Sequence, residues 1–265
     1  MKIRVDVLSD KKGSNPGGLC TVYDSKGNRV LDGYFKYCHS SYLPKSSPFL
    51  AEHQPVLEVL ASLQARKFGL ITPDCYVLMN KDLVVFNNLH NSKDHSGKKY
   101  YFVSKLEPNP TSETIDKRLI ESIKHERAYL ESLLLRDFDS RANIIYKEGR
   151  VGYIDLGCFR FACANDGFLK EAPGNFSLIP DRQLRKILRK LENYNIRRAD
   201  GAVINLLKIV EDVSDMFIPI LNPPGGYAKV ESLINKNEVH AIQNYFAQSF
   251  FNSRRKFKEE GLLIE

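Results

Sequence analysis

Along the first hundred residues, apolar and polar positions mostly alternate. "KIRVDVL" places an apolar side chain at every second position, and "LCTVYD" and "RVLDGYFKYC" follow with glycine-bearing turns between them. A period of two puts successive side chains on opposite faces, so these segments predict an antiparallel meander. The period then changes. "PVLEVLASLQARKFG" carries apolar residues at Leu57, Leu60, Ala61 and Phe68, with Pro55 suited to a first helical turn and Gly69 to a C-terminal cap. One helix is predicted there, followed by three more strand-like segments, "CYVLMN", "DLVVFNN" and "KKYYFVSKL". After the polar, proline-containing "EPNPTSET" the pattern becomes helical, with Leu119, Ile123, Leu130 and Leu134 at helical spacing. Two short strands, "NIIYK" and "VGYIDLG", flank the turn "EGR". The remainder reads as mostly helix in "DRQLRKILRKLENY", "AVINLLKIVEDVSDMF" and "EVHAIQNYFAQSFF".

The expected fold class is therefore α+β. A small antiparallel sheet with one helix spans 1–107, and a mainly helical part with one β-hairpin spans 108–265. The chain of 265 residues, 43% hydrophobic, is long enough for two lobes around a cleft. The five cysteines form no CxxC pair and are odd in number, which argues against a disulfide framework or a zinc knuckle and for a reducing compartment. No apolar run approaches the ~18 residues that span a bilayer, and "MKIRVDVLSD" lacks the apolar core of a leader. The expectation is a soluble protein. A net charge of +7 raises the prospect of an anionic partner.

Candidate chemistry is concentrated in three places. "KKGSNPGGLC", between the first two strands, contains Gly13, Gly17 and Gly18, where backbone can approach an anion, although a plain hairpin loop explains it equally well. "GYFKYC" sets Lys36 inside a strand of bulky apolar residues. That lysine is either an edge residue with its charge in water or an inward ammonium for phosphate oxygens. Glu58 on the following helix is the candidate partner carboxylate, with Glu52 in reserve, and Lys105 is a further cation for a nucleotide. The third place is "LLLRDFDSRANIIY" with the hairpin behind it. Asp137, Asp139 and Asn143 read as caps and turn formers. The hairpin, however, starts just after Asn143 and returns to Asp155, so an amide oxygen and a carboxylate converge as ligands for a hard cation.

These residues resemble the protein kinase superfamily. Arg136-Asp137, Asn143 and Asp155-Leu156-Gly157 look like its catalytic loop and its DFG metal-binding segment, here in a DLG form, and Lys36 and Glu58 precede them in the kinase order. "EVLASLQARKFGLITP" is also similar to the matching helix in the HipA-like and phosphoinositide-kinase-like branches. The compact size resembles atypical minimal effector kinases of the Legionella type, and "KFKEEGLLIE" is similar to their glutamate-rich secretion tails. The resemblance implies a two-lobed protein-kinase-like fold with a small antiparallel-sheet N-lobe, a mainly helical C-lobe, and ATP with Mg²⁺ or Mn²⁺ in the cleft. Lys36, steadied by Glu58, would hold phosphates. Asn143 and Asp155 would bind metal, and Asp137 or Asp139 would orient an acceptor hydroxyl, a protein serine or threonine. It further implies synthesis in a bacterial cytoplasm and delivery to the host cytosol, with a host protein as substrate. The sequence departs from the family by lacking the catalytic-loop histidine and an APE segment. Asp137 lies one residue farther from Asn143, and Asp139 one residue nearer, than the family's aspartate. A lipid or small-molecule kinase, AMP transfer, and a pseudokinase that only binds a partner remain open.

One helix stands apart by charge. In "DRQLRKILRKLENYNIRR", Arg182, Arg185, Lys186, Arg189 and Lys190 share one face, Leu184, Ile187, Leu188 and Leu191 share the other, and Arg197 and Arg198 follow. A solvated face is one reading. The other is a site for an inositol polyphosphate or phosphoinositide headgroup, acting as an activator or as a peripheral membrane contact, because like charges so placed repel unless a polyanion sits on them. Arg254, Arg255, Lys256 and Lys258 form a second cluster. Nucleic acid is disfavoured by the absence of zinc-finger, RRM or helix-turn-helix signatures and of aromatics interleaved with the cations. No Ser-His-Asp or GxSxG pattern supports a hydrolase.

Overall fold

A computed structural model describes residues 2–9, 16–38, 49–87, 97–107, 121, 126, 144–147, 150–154, 156, 180–198, 201–211, 213–222 and 225–264. In chain order the strands are β1 (Ile3–Val7), β2 (Gly17–Tyr23), β3 (Arg29–Tyr37), β4 (Cys75–Met79), β5 (Leu83–Asn87), β6 (Tyr100–Lys105), β7 (Ile144–Lys147), β8 (Arg150–Tyr153), β9 (Asn195–Arg197), β10 (Val203–Asn205), β11 (Phe217–Ile220), β12 (Gly226–Lys229) and β13 (Leu263–Ile264). Among the described residues the helices given a range are α1 (Gln54–Lys67), α2 (Asp181–Leu191), α3 (Leu206–Glu211), α4 (Val230–Leu233) and α5 (Lys236–Glu259).

The main sheet is curled, with eight strands in the order β12-β11-β4-β6-β3-β2-β1-β5. This is larger than the small sheet the sequence predicts, and it is mixed: β5 runs parallel to β1, and β11 parallel to β4. The extra strands come from the C-terminal part of the chain. "AVINLLKIVEDVSDMF", expected as one helix, divides into β10, the short α3 and a turn leading to β11. Leu206, Ile209, Val210 and Val213 do bury at helical spacing, but the β-branched pair Val203 and Ile204 pairs with β9 instead.

Alternation across the central strands separates two cores. Phe35, Tyr37, Tyr101 and Val103 pack on one face with Val5, Val22 and Leu78. Tyr100, Phe102 and Val77 face the other way, toward α1 and the C-terminal helices. Helix α1 lies on that second face and is covered from outside: Phe68 meets Phe250 of α5 edge to face at 6.3 Å, and Gln64 Nε2 donates to Met216 Sδ at 3.0 Å. Burial on both sides explains why Val56, Leu57, Val59, Leu60, Ala61 and Ala65 are all inside, a wider apolar surface than one stripe. Pro55 occupies the first turn, and Gly69, at φ +74°, ends the helix. Among the described residues no helix is long and apolar enough to cross a membrane.

Candidate functional site

Lys36 lies on β3 with its side chain on the α1 face, since its neighbours Phe35 and Tyr37 point into the opposite core. About one helical turn into α1, Glu58 faces the sheet. The two meet: Lys36 Nζ donates to Glu58 Oε1 at 2.6 Å, with side chains 13% and 4% exposed. That is a charge-assisted hydrogen bond removed from most of the solvent. The Phe102 and Tyr34 ring centroids lie 5.3 Å and 5.7 Å from the same ammonium, inside cation–π range. Glu52, the reserve partner, sits in the 3₁₀ turn before α1, half exposed beside His53.

The glycine-rich stretch is differently placed from the loop the sequence suggests. Gly17 and Gly18 belong to β2 itself, and Gly17 is the cross-strand neighbour of Lys36. Its φ is +146°, and a Cβ there would collide with the Phe35 carbonyl and come within 2.9 Å of Lys36 Cα. Glycine is therefore what lets β2 close on β3 at the lysine. Gly13 lies outside the described residues. Lys105 does not join Lys36: it pairs with Gly33 on β3, so strand alternation sends its side chain to the opposite face, where it is exposed.

Asp137, Asp139, Asn143 and Asp155 lie outside the described residues, but the hairpin linking the last two is described. Strands β7 and β8 pair from Ile144, opposite Tyr153, to Lys147, opposite Arg150. Two contacts fasten the hairpin to the sheet-and-helix unit. Tyr153 donates its N–H to the Ile71 carbonyl at 2.8 Å, just past α1, and Lys147 Nζ bonds Glu107 Oε1 at 3.0 Å, just past β6. A side chain at Gly152 would stand 2.8 Å from the Ile71 carbonyl, so this approach also needs glycine. Beyond the hairpin, Leu156 is buried in the same core as α1. Among the described residues no three His, Cys, Asp or Glu side chains converge as metal ligands.

On α2, Arg182, Arg185, Lys186, Arg189 and Lys190 are all exposed, whereas Leu184 and Leu191 are buried. Lys190 Nζ lies 5.2 Å from the Phe251 ring of α5, and Arg254 of α5 stacks 4.6 Å over Tyr194. The second basic cluster thus borders the first. Arg197 is exposed, but Arg198 is not part of this surface: it is buried against Gly69, and its guanidinium meets Glu126 Oε1 at 3.4 Å. The tail folds back onto β9, where β13 pairs with it.

Sequence reasoning missed the Lys147–Glu107 and Arg198–Glu126 pairs, which join segments distant along the chain. It also missed a fully buried Glu238 bonded to His53. One part of that was readable, since Asn235 followed three residues later by Glu238 is a capping-box signature. Comparison with protein-family models, curated proteins and solved structures finds no match to this chain.

Proposed function

We propose that the chain is an ATP-dependent phosphotransferase of the protein kinase type, acting on serine or threonine of a protein and activated by a polyanion. The Lys36–Glu58 ion pair carries the reading: a lysine in an apolar strand and a glutamate on the single following helix meet at 2.6 Å in a nearly dry setting. A lysine ammonium has three donors, so one charge serves a carboxylate and the phosphates of a nucleotide together, and the carboxylate fixes its direction. Gly17, paired with Lys36 across the strands, lets β2 close on β3 at the lysine. The hairpin fastened to the exits of α1 and β6 supports the rest, because it begins one residue after Asn143 and ends two before Asp155.

Asn143 and Asp155 are hard oxygen donors of the kind that suit Mg²⁺ or Mn²⁺, and they are the residues that would hold it. The ion would neutralise charge on the transferring group. Asp137 or Asp139 would orient the acceptor hydroxyl. Catalysis of this type is mainly positioning and electrostatics, which suits a site whose lysine and glutamate are held between a sheet and a covered helix. The exposed cations of α2, Arg182, Arg185, Lys186, Arg189 and Lys190, which outnumber the helix's one acid, Asp181, support inositol hexakisphosphate or a phosphoinositide headgroup as the activating polyanion.

The test is transfer of label from γ-labelled ATP, with Mg²⁺ or Mn²⁺, to a generic protein substrate, with and without inositol hexakisphosphate, beside Asp155→Ala. Label transfer abolished in the variant is expected. Nucleotide binding without transfer under every condition would move the reading to a pseudokinase, and label on a lipid or small molecule alone would change the acceptor class.

A further inference from the structure

Helix α1 presents Glu58 to Lys36, yet its own first turn has neither a side-chain cap nor an acid. What holds its start comes from the far end of the chain. Glu238, 0% exposed at the beginning of α5, collects donors from two separate segments. The Leu50 N–H reaches Oε1 at 2.8 Å, and the Asn235 N–H reaches Oε2 at 2.9 Å. His53 Nδ1, in the residue immediately before α1, lies 2.8 Å and 2.7 Å from the two oxygens. Asn235 Oδ1 accepts the Glu238 N–H in return at 2.9 Å, which completes a reciprocal box at the start of α5.

Glu52, Tyr100 and, through Tyr100, Lys99 also border the His53 ring. His53 Nε2 is buried and has no hydrogen-bond partner among the described residues, and Glu52 Oε1 stands 3.5 Å away outside bonding geometry. Tyr100 of β6 packs on the ring at 5.8 Å, its hydroxyl donates to the Leu233 carbonyl at 2.9 Å, and Lys99 Nζ lies 5.0 Å from the Tyr100 ring centroid. Desolvating a carboxylate is expensive, and an apolar pair would fill the same volume at no such cost. What the hydrogen-bonded arrangement adds is direction: three donors meet on one carboxylate, and two of them, the Leu50 N–H and His53 Nδ1, come from the segment entering α1 and fix the helix start. Glu58 follows His53 by about 7 Å of helix rise, so a slide or turn of α1 at His53 reaches Glu58 almost undiminished.

We infer that His53 and Glu238 form a clasp that positions α1 and so holds Glu58 on Lys36. They are positioning residues of the site, and the effect on turnover, though not the mechanical link, rests on the kinase reading. The test uses the full chain with His53→Leu, Glu238→Gln and His53→Asn, the last because its amide nitrogen restores a donor at the Nδ1 position. Two quantities are read: the rate at which an amine-reactive ester acylates Lys36, by peptide mass spectrometry, and kcat and KM for ATP. A Phe257→Leu variant at the other end of α5 supplies a comparison for general loss of stability.

His53→Leu and Glu238→Gln should acylate Lys36 several-fold faster and lower kcat/KM, and His53→Asn should return both toward wild type. Unchanged acylation in His53→Leu, an equal rise in Phe257→Leu at matched Tm loss, or no rescue by Asn overturns the clasp. Expected acylation in a protein that transfers no phosphate leaves the clasp standing and removes the kinase reading. Turnover by wild type that His53→Leu leaves intact does the reverse.

Discussion

The Lys36 ammonium is held on three sides, by Glu58 Oε1 and by the rings of Tyr34 and Phe102. Arginine would not serve there, since its planar fork is longer and bonds in pairs where lysine offers a compact point charge. Glu58→Gln keeps the shape but removes the charge. It should lower kcat/KM by roughly 10²-fold, the size of a misplaced reacting group, and stability by about 3 kcal/mol, because a nearly buried ammonium loses this carboxylate. Phosphotransfer kinetics and urea unfolding of the same sample check both figures. The buried thiols make a separate prediction. Burial pushes Cys20 up from 9.0 to about 12 and Cys75 up from 9.0 to about 11. Above pH 9.0 the unfolded chain releases these protons while the native chain keeps them. Their contribution to stability is therefore whole below that pH and is lost as pH rises through about 11 and about 12. Denaturant midpoints should fall more steeply in alkali for wild type than for a Cys20→Ala/Cys75→Ala variant, and native protein should alkylate at neither position near neutral pH.

Among the elements, α1 and α2 make different demands on the rest of the chain. Helix α2 leaves its cationic face to solvent, where the proposed polyanion would sit. Replacing Arg185, Lys186 and Arg189 with glutamine should abolish calorimetric binding of inositol hexakisphosphate without shifting Tm, because none of the three is buried. Binding in wild type should weaken steeply with salt. Both helices were legible in sequence from their 3.6-residue spacing, and strands β1 to β8 from alternation and turn residues. The pair Lys36 and Glu58 was legible because a charged residue in an apolar strand and an acid early in the next helix are each out of place. The hairpin β11–β12 was not legible: "FIPI" and "GYAK" are too short to show a period, and Pro219 argues against a strand. The clasp was half legible, as a capping box, but no local pattern marks His53 as its partner across most of the chain.

The molecule as a whole closes on itself through α1. The core on that face draws on Val56 and Leu60 of α1, Tyr100 and Phe102 of β6, and Ile242, Phe246 and Phe250 of α5. Residues 1–107 alone would lose β11, β12 and the cover of α5. Expressed alone this piece should lack a cooperative thermal transition and collect as aggregate, and co-expression with residues 108–265 should restore soluble, cooperatively melting protein. The same shared core explains why a sheet that reads as self-contained in sequence is not so in structure: the alternation in β4 shows which side chains are inside but not that its far edge awaits another strand.

That edge has a consequence during synthesis. Val77 of β4 is the partner of Ile220, and translation at ~5–20 residues per second puts on the order of ten seconds between the two. Through that interval β4 leaves the ribosome with an unpaired row of amides and carbonyls, and its parallel partner is among the slower pairings to form. A chaperone that shields nascent strands, or slow codons placed before residue 217 to hold the chain on the ribosome, should therefore change the yield of this protein more than its final stability does.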